Sequence, residues 1–226
     1  MIAIDGPSGS GKSSTARGVA QKLGLAFLDT GAMYRAATWL VLHSEVAAED
    51  IDAVAELVQH AQIDITLDPA APTITINGHD VTEAIREPVV SAAVSSVATN
   101  LAVRADLVAR QQAIIAAAEQ GIVAEGRDIT TVVAPDAPVR VLLVADPAAR
   151  VARRQAELGQ KVSSADVTDQ VIRRDRDDST VAAFTEAAEG VEVVDSTHLT
   201  LSEVIDVIAD LVPAPTREHV PAVAPR

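Results

Sequence analysis

Gly6-Pro7-Ser8-Gly9-Ser10-Gly11-Lys12-Ser13 fits the pattern G-x-x-x-x-G-K-S/T, and a further hydroxyl follows at Ser14. The chemistry open to such a run is the holding of a polyphosphate. Glycines let the backbone wrap closely around anionic oxygens, and successive N–H groups and a helix N-terminus point at them. Lys12 reaches the outer phosphates in this arrangement, and the Ser13 hydroxyl is placed to ligate Mg2+. The pattern carries this meaning only between a strand and a helix. Met1 to Asp5 is a short apolar run ending in an acid and Lys12 to about Leu23 is amphipathic, so both flanks are present. Binding of a nucleoside triphosphate is the consequence. The fate of that nucleotide is still open, because switch GTPases, ATPases and small-molecule kinases share the loop. Neither an Asn-Lys-x-Asp string nor an Asp-x-x-Gly switch occurs, which argues against a GTPase. Val141-Leu142-Leu143-Val144-Ala145-Asp146 has the form of a Walker B strand, but Asp146 before Pro147 is also a ready-made helix start, and that is the preferred reading.

The elements that must position this loop follow a βα rhythm. After the first strand and helix, Leu25 to Leu28 reads as a second strand, followed by Asp29-Thr30-Gly31 and a helix through about His43. Alternation in Ile63, Ile65 and Leu67 and again from Thr73 to Ile76, with turns at Asp68-Pro69 and Asn77-Gly78, predicts a small antiparallel insertion. Helical patterning returns from about Glu83 to Gln120. Ile122 to Ala124 and Val139 to Ala145 are short apolar runs suited to buried parallel strands. Arg150 to Glu157 reads as an exposed basic helix, Gly159 to Ser164 as a mobile loop and Asp169 to Asp177 as a second charged helix. Val191 to Val194 and Leu201 to Leu211 supply a last strand and helix. From Pro213 the chain holds four prolines and no apolar periodicity, the signature of a disordered tail.

Composition bounds the partners. With 226 residues, 48% of them hydrophobic, one main domain with insertions is expected. Aromatics are 2% of the chain, so Ala, Val, Ile and Leu must fill the interior, as in parallel sheets covered by helices. The formal charge of -14 repels a nucleic acid polymer, so an anionic substrate must be small and must meet a local cationic pocket. Of the 18 Lys plus Arg residues only Lys12, Lys22 and Lys161 are lysines, and arginine forks suit bidentate phosphate contacts. The absence of cysteine excludes disulfides and thiolate metal sites. No basic segment leads into an apolar run at the N-terminus and no stretch reaches membrane-spanning length, so a cytoplasmic location without a membrane partner is expected.

Four strings now point the same way. Ile4-Asp5-Gly6-Pro7-Ser8-Gly9-Ser10-Gly11-Lys12-Ser13, Asp29-Thr30-Gly31-Ala32-Met33-Tyr34-Arg35, Glu125-Gly126-Arg127-Asp128 and Arg174-Asp175-Arg176-Asp177-Asp178-Ser179 occur in the order and spacing of bacterial cytidylate kinases. The chain resembles that family from Met1 to about Leu211. The resemblance implies an α/β, three-layer P-loop kinase fold with a parallel central sheet, a small antiparallel insertion and a helical lid. Its core would span 1–60 and 92–212, with the lid at about 150–165, a nucleoside-monophosphate-binding insertion at 61–91 and the tail at 213–226. The implied activity is transfer of the γ-phosphoryl group of ATP to CMP and dCMP with Mg2+; separately from the resemblance, a monomer is expected.

The same resemblance assigns residues. Gly6 to Ser14 would hold ATP, with Ser13 on the metal. Thr30 and Arg35 would contact the acceptor phosphate, which Arg127 and Arg174 help to hold beside Gly126. Ser95, Arg104 and Asp128 would read the cytosine ring, and Asp178 the ribose hydroxyls. Lys12, Arg127, Arg174, Arg150 and Arg154 would act on the transferring group. Cytosine offers an amino donor at C4 beside acceptors at N3 and O2, so an acid with a guanidinium is a sensible reader pair. One position departs from the family pattern Arg-Asp-x-x-Asp-Ser-x-Arg: Val181 stands where its last arginine would be. Either Arg176 supplies the missing charge, the preferred expectation, or the enzyme is slow or specialised. A P-loop kinase for another small acceptor and a non-catalytic nucleotide-binding module remain the rival readings.

Lys12→Ala is expected to abolish turnover while leaving the fold intact, because Lys12 belongs to an exposed loop and not to the core. Steady-state kinetics beside a thermal melt checks this, and near-normal activity would sink the phosphate-loop assignment.

Overall fold

The structure, a computed structural model, describes residues 1–158, 168, 173, 175–182 and 184–213. Arg174, the loop expected at Gly159 to Ser164 and the tail beyond Pro213 lie outside these residues, as does much of the second charged helix. Strand β1 (Ile2–Asp5) is the centre of a parallel five-stranded sheet of order β2-β6-β1-β7-β8, with β2 Ala26–Asp29, β6 Ile122–Gly126, β7 Val139–Val144 and β8 Glu192–Asp195. Alternation along β1 builds two cores from one strand. Ile2 and Ile4 face Val19 and Ala20 of α1 (Lys12–Leu23) and Ile208 of α7 (Leu201–Asp210). Ala3 faces the other way, onto Met33 of α2 (Thr30–Leu42) and Leu107 of α5 (Leu101–Ala117). The small side chain at Ala3 lets that layer lie close to the sheet. The expected three-layer α/β architecture is what forms.

Two features differ from the sequence reading. Ile51–Gln59 forms a helix, α3, capped by the Asp50 carboxylate on Ala53 N–H at 3.0 Å, where no element was expected. Its buried Val54, Ala55 and Val58 follow helical spacing, so the signal was present but short. The helical region expected from Glu83 to Gln120 breaks into a 3-10 turn (Ala84–Arg86), α4 (Pro88–Ala98) and α5. Asn100 makes the second break by accepting from Ala102 and Val103 N–H at 3.0 and 3.2 Å.

The antiparallel insertion forms as β3 (Ile63–Ile65), β4 (Ile74–Ile76) and β5 (His79–Asp80). Its hairpin turns at Asn77-Gly78, both at positive φ. It does not hang free: Ile74 and Ile76 share one core with Met33, Val54, Val94 and Leu107. Trp39 of α2 stacks on His43 with ring centroids 4.2 Å apart and meets His79 of β5 at 6.1 Å.

Parallel strands bring their C-terminal ends to one edge, and Asp5 anchors a turn of the backbone there. Its carboxylate accepts from Ile129 N–H at 2.8 Å, Thr130 N–H at 2.8 Å and the Thr130 hydroxyl at 2.6 Å, which pins the π-helical turn Ile129–Val133 beside the loop after β6. Burial pushes the Asp5 carboxyl up to about 6 despite these donors. An unfolded aspartate ionises near 4, so between about 4 and about 6 the native state binds the extra proton and stability falls as pH rises, levelling above that window. Chemical denaturation across pH is expected to show this slope. Asp5→Asn should remove it, while lowering stability at neutral pH by about 1–3 kcal/mol because an amide N–H would face the donors of Ile129 and Thr130.

Candidate active site

The C-terminal edge of the sheet opens into a cleft of about 510 Å3, bordered by the phosphate loop, the start of α2, α4, α5 and the loop after β6. Along one wall the glycine-rich loop passes from β1 into α1. Gly9 adopts φ 74°, and a Cβ there would lie 2.5 Å from the Arg150 carbonyl oxygen, so only glycine fits both the turn and the approach of α6 (Pro147–Leu158). The loop is clasped from outside. Arg150 donates to Ser8 O at 3.0 Å, and Arg153 donates to Ser10 O at 3.2 Å and to Ser196 Oγ at 2.9 Å. Ser196 itself donates to Ser10 O at 3.1 Å. These arginines bind backbone carbonyls and are half-buried, which corrects the reading of Arg150 to Glu157 as an exposed basic helix. Arg154, one turn on from Arg150, borders the cleft.

Where the loop meets the sheet, Ser13 Oγ donates to Glu125 Oε1 at 2.6 Å. Glu125 is only 2% exposed, and its register partner on β2 is Asp29. Burial, then the charge of Asp29, pushes the Glu125 carboxyl up to about 7 against the pull of Lys12 and Ser13. Burial also works against Asp29, but Arg35, the Ala32 N–H and Arg86 outweigh it and hold that carboxyl below the usual range. Arg35 reaches Asp29 Oδ2 at 2.9 Å. Thr30 donates to Glu125 O at 2.7 Å, and a Cβ on Gly126 would strike the Thr30 hydroxyl at 2.5 Å.

The far wall carries a second set. Arg104 of α5 forms a close ion pair with Asp128, donates to Ala98 O at 3.3 Å and lies 5.9 Å from the centre of the Tyr34 ring. Burial raises the Asp128 carboxyl although Arg104 opposes it. Between the two walls sits Arg127, paired with Asp175 at 2.7 Å and Asp178 at 3.0 Å, its guanidinium 4.2 Å from the centre of the Phe184 ring. Ser95 donates to the other oxygen of Asp178 at 3.3 Å.

One cleft therefore offers a polyphosphate loop, a cluster of guanidinium groups and, beyond them, an acid–guanidinium pair suited to a base edge. Residues 2–214 match the cytidylate kinase family. A cytidylate kinase of Cutibacterium acnes is 59% identical over 220 residues, which is 96% of this chain and 97% of that protein. The chain belongs to the cytidylate kinase family. A second member, from Streptomyces avermitilis, is 44% identical over 215 residues, covering 94% of this chain and 92% of its own. In Prochlorococcus marinus a bifunctional pantoate ligase/cytidylate kinase is 44% identical over 220 residues, 93% of this chain and 43% of that protein.

Against this family frame, the expected Lys12, Ser13, Ser14, Thr30, Arg35, Arg104, Gly126, Arg127, Asp128, Arg154 and Asp178 all border the cleft. Ser95 stands behind Asp178, and Arg150 behind the phosphate loop. Asp146 is exposed and lies away from the cleft, in agreement with the helix-start reading. The strand-end acid beside the loop is instead Glu125, whose place next to β1 could not be read from a linear string. Arg86 was missed too. It ends the 3-10 turn before α4 and borders the cleft, having only a surface-like context in the sequence.

Val181 borders the cleft without a donor. Arg176 does not replace the missing cation, because its side chain is 74% exposed and pairs with the adjacent Asp177 at 3.1 Å. The cation that the geometry offers is Arg86. Arg86→Ala is expected to weaken binding of a nucleoside monophosphate by about tenfold or more, as for one charge-assisted hydrogen bond. Arg176→Ala should leave it unchanged, and calorimetric titration of both variants separates the two.

Proposed function

We propose that this chain catalyses transfer of the γ-phosphoryl group of ATP to CMP, and to dCMP, with Mg2+, in the cytoplasm. The observation that carries this reading is the opening of the phosphate loop and the Arg104–Asp128 pair into one cleft, with Arg127 between them.

Phosphoryl transfer asks for two anions held in line, their charge neutralised and water kept out. The loop from Gly6 to Ser14 grips the donor phosphates through its N–H groups, and Lys12 places a charge on the outer ones. Arg35, Arg86 and Arg127 hold the acceptor phosphate, and Arg154 lies at the junction. The Ser13 hydroxyl and the Glu125 carboxylate fit Mg2+, since they are two hard oxygen donors 2.6 Å apart in a buried place where burial and the charge of Asp29 outweigh the pull of Lys12. A bound Mg2+ there neutralises charge on the phosphates and fixes their orientation. No protein nucleophile is needed.

Selectivity for cytosine rests on Arg104 and Asp128. The Asp128 carboxylate accepts from the C4 amino group, and the Arg104 guanidinium donates toward N3 and O2. Uracil carries an oxygen at C4, which would face the Asp128 carboxylate. Asp178, held by Ser95 and Arg127, accepts from the ribose hydroxyls.

A coupled assay with CMP, dCMP, UMP and AMP tests the reading, and turnover fastest with AMP or absent with all four would sink it. Asp178→Ala is expected to lower kcat/KM about tenfold or more further for CMP than for dCMP, because only CMP loses the charged hydrogen bond at the 2′-OH. Equal losses would mean that Asp178 does not read that group.

A further inference from the structure

Asp175 neither grips a phosphate nor reads the nucleoside, yet it touches three parts of the transfer machinery. Its Oδ1 accepts from Ser8 N–H at 2.9 Å and from Arg127 Nη1 at 2.7 Å, while Oδ2 forms a close ion pair with Arg150. Arg150 in turn donates to Ser8 O, so the Ser8 residue is held at its N–H by Asp175 and at its carbonyl by Arg150. One carboxylate thus ties the lip of the donor-side loop, the arginine of α6 and the acceptor-side guanidinium to a single point.

We propose that Asp175 is a positioning residue for phosphoryl transfer, whose carboxylate sets the spacing between the phosphate loop and Arg127. This rests on the reading of the cleft as a nucleoside monophosphate kinase site. The geometry explains why an acid belongs there despite the phosphates nearby. Arg127 has a second anchor in Asp178 and a flat support in the Phe184 ring, so Asp175 fixes its reach toward the loop without being needed to hold the side chain in place. The Ser8 contact is to backbone, and a shift there moves the whole loop, with every N–H that grips the donor. Burial disfavours the ionised carboxyl, but Arg127, the Ser8 N–H and Arg150 hold it below the usual range, so the tie is charged throughout the neutral range.

The chemical consequence is specific. Loss of the tie should leave each substrate bound by its own contacts while spoiling their alignment, and water should then compete with CMP for the transferred group. Asp175→Ala and Asp175→Asn are assayed beside the parent enzyme with ATP and CMP, following ADP and CDP separately, with thermal melts of each protein. In the Ala variant, kcat for CDP is expected to fall by about 10²-fold, the usual size of an ångström-scale misplacement, with each KM within about threefold of the parent. The Asn variant should lie between, since its amide oxygen still accepts from Ser8 and Arg127 while its N–H faces Arg150. ADP formed per CDP should rise above one in both. A folded variant with unchanged kcat and an ADP to CDP ratio of one overturns the proposal, as does a rise in KM alone. If the Ala variant fails to fold, the Asn variant decides. A parent enzyme that makes no CDP overturns the kinase reading instead.

Discussion

Two neighbouring strands that run parallel and in register deliver two carboxylates to one place. Asp29 and Glu125 are Cα partners at the ends of β2 and β6, both buried, and two unscreened negative charges so placed are unstable unless cations come to them. The rest of the site can be derived from that demand. Arg35 answers Asp29, and Arg86 adds its field. Glu125 is met by Lys12, Ser13 and, more weakly, Arg35, and its remaining affinity for positive charge lies where the phosphate loop begins its helix. A fold that gathers strand ends thus creates a cation-seeking point beside an anion-seeking loop. In the proposed function, ATP with Mg2+ would satisfy both.

The same economy governs the arginines. In a chain of net charge -14, every guanidinium has many possible partners, yet a large share of them converge on the cleft and its supports. They divide by what they bind. Arg35, Arg104 and Arg127 pair with buried carboxylates and remain presented to the cleft, so an anion entering it would meet cations that are already oriented. Arg150 and Arg153 also reach loop carbonyls, Arg150 while paired with Asp175, and so brace the phosphate loop from outside. Arginine serves both uses because its planar fork makes several hydrogen bonds at once.

Much of this is legible in the sequence because it depends on short-range patterns. The loop from Gly6 to Ser13 announces its conformation through glycine spacing, and Asn77-Gly78 announces a hairpin. The illegible part depends on neighbours distant in the chain. Glu125 matters because β6 pairs with β1, whereas Asp146, which looks the stronger acid in linear form, ends a strand on the other side of β1 and faces out. Arg150 and Arg153 lie in a run that has the look of a solvated face, since nothing in it reveals that carbonyls of residues over a hundred positions away supply their partners. Arg176, inside the family string, looks in linear form a better substitute for the cation missing at Val181 than Arg86, which reaches the cleft because the 3-10 turn before α4 aims it there.

The seating of Trp39 has a practical side. It is the only tryptophan in the chain, and its ring lies between His43 at the end of α2 and His79 of the small sheet. The helix that carries Arg35 and the insertion that leads to Arg86 therefore meet at a single natural fluorophore. Tryptophan emission from this protein is a one-site optical signal, free of any added label, for how that helix and that insertion sit against each other as a nucleotide arrives.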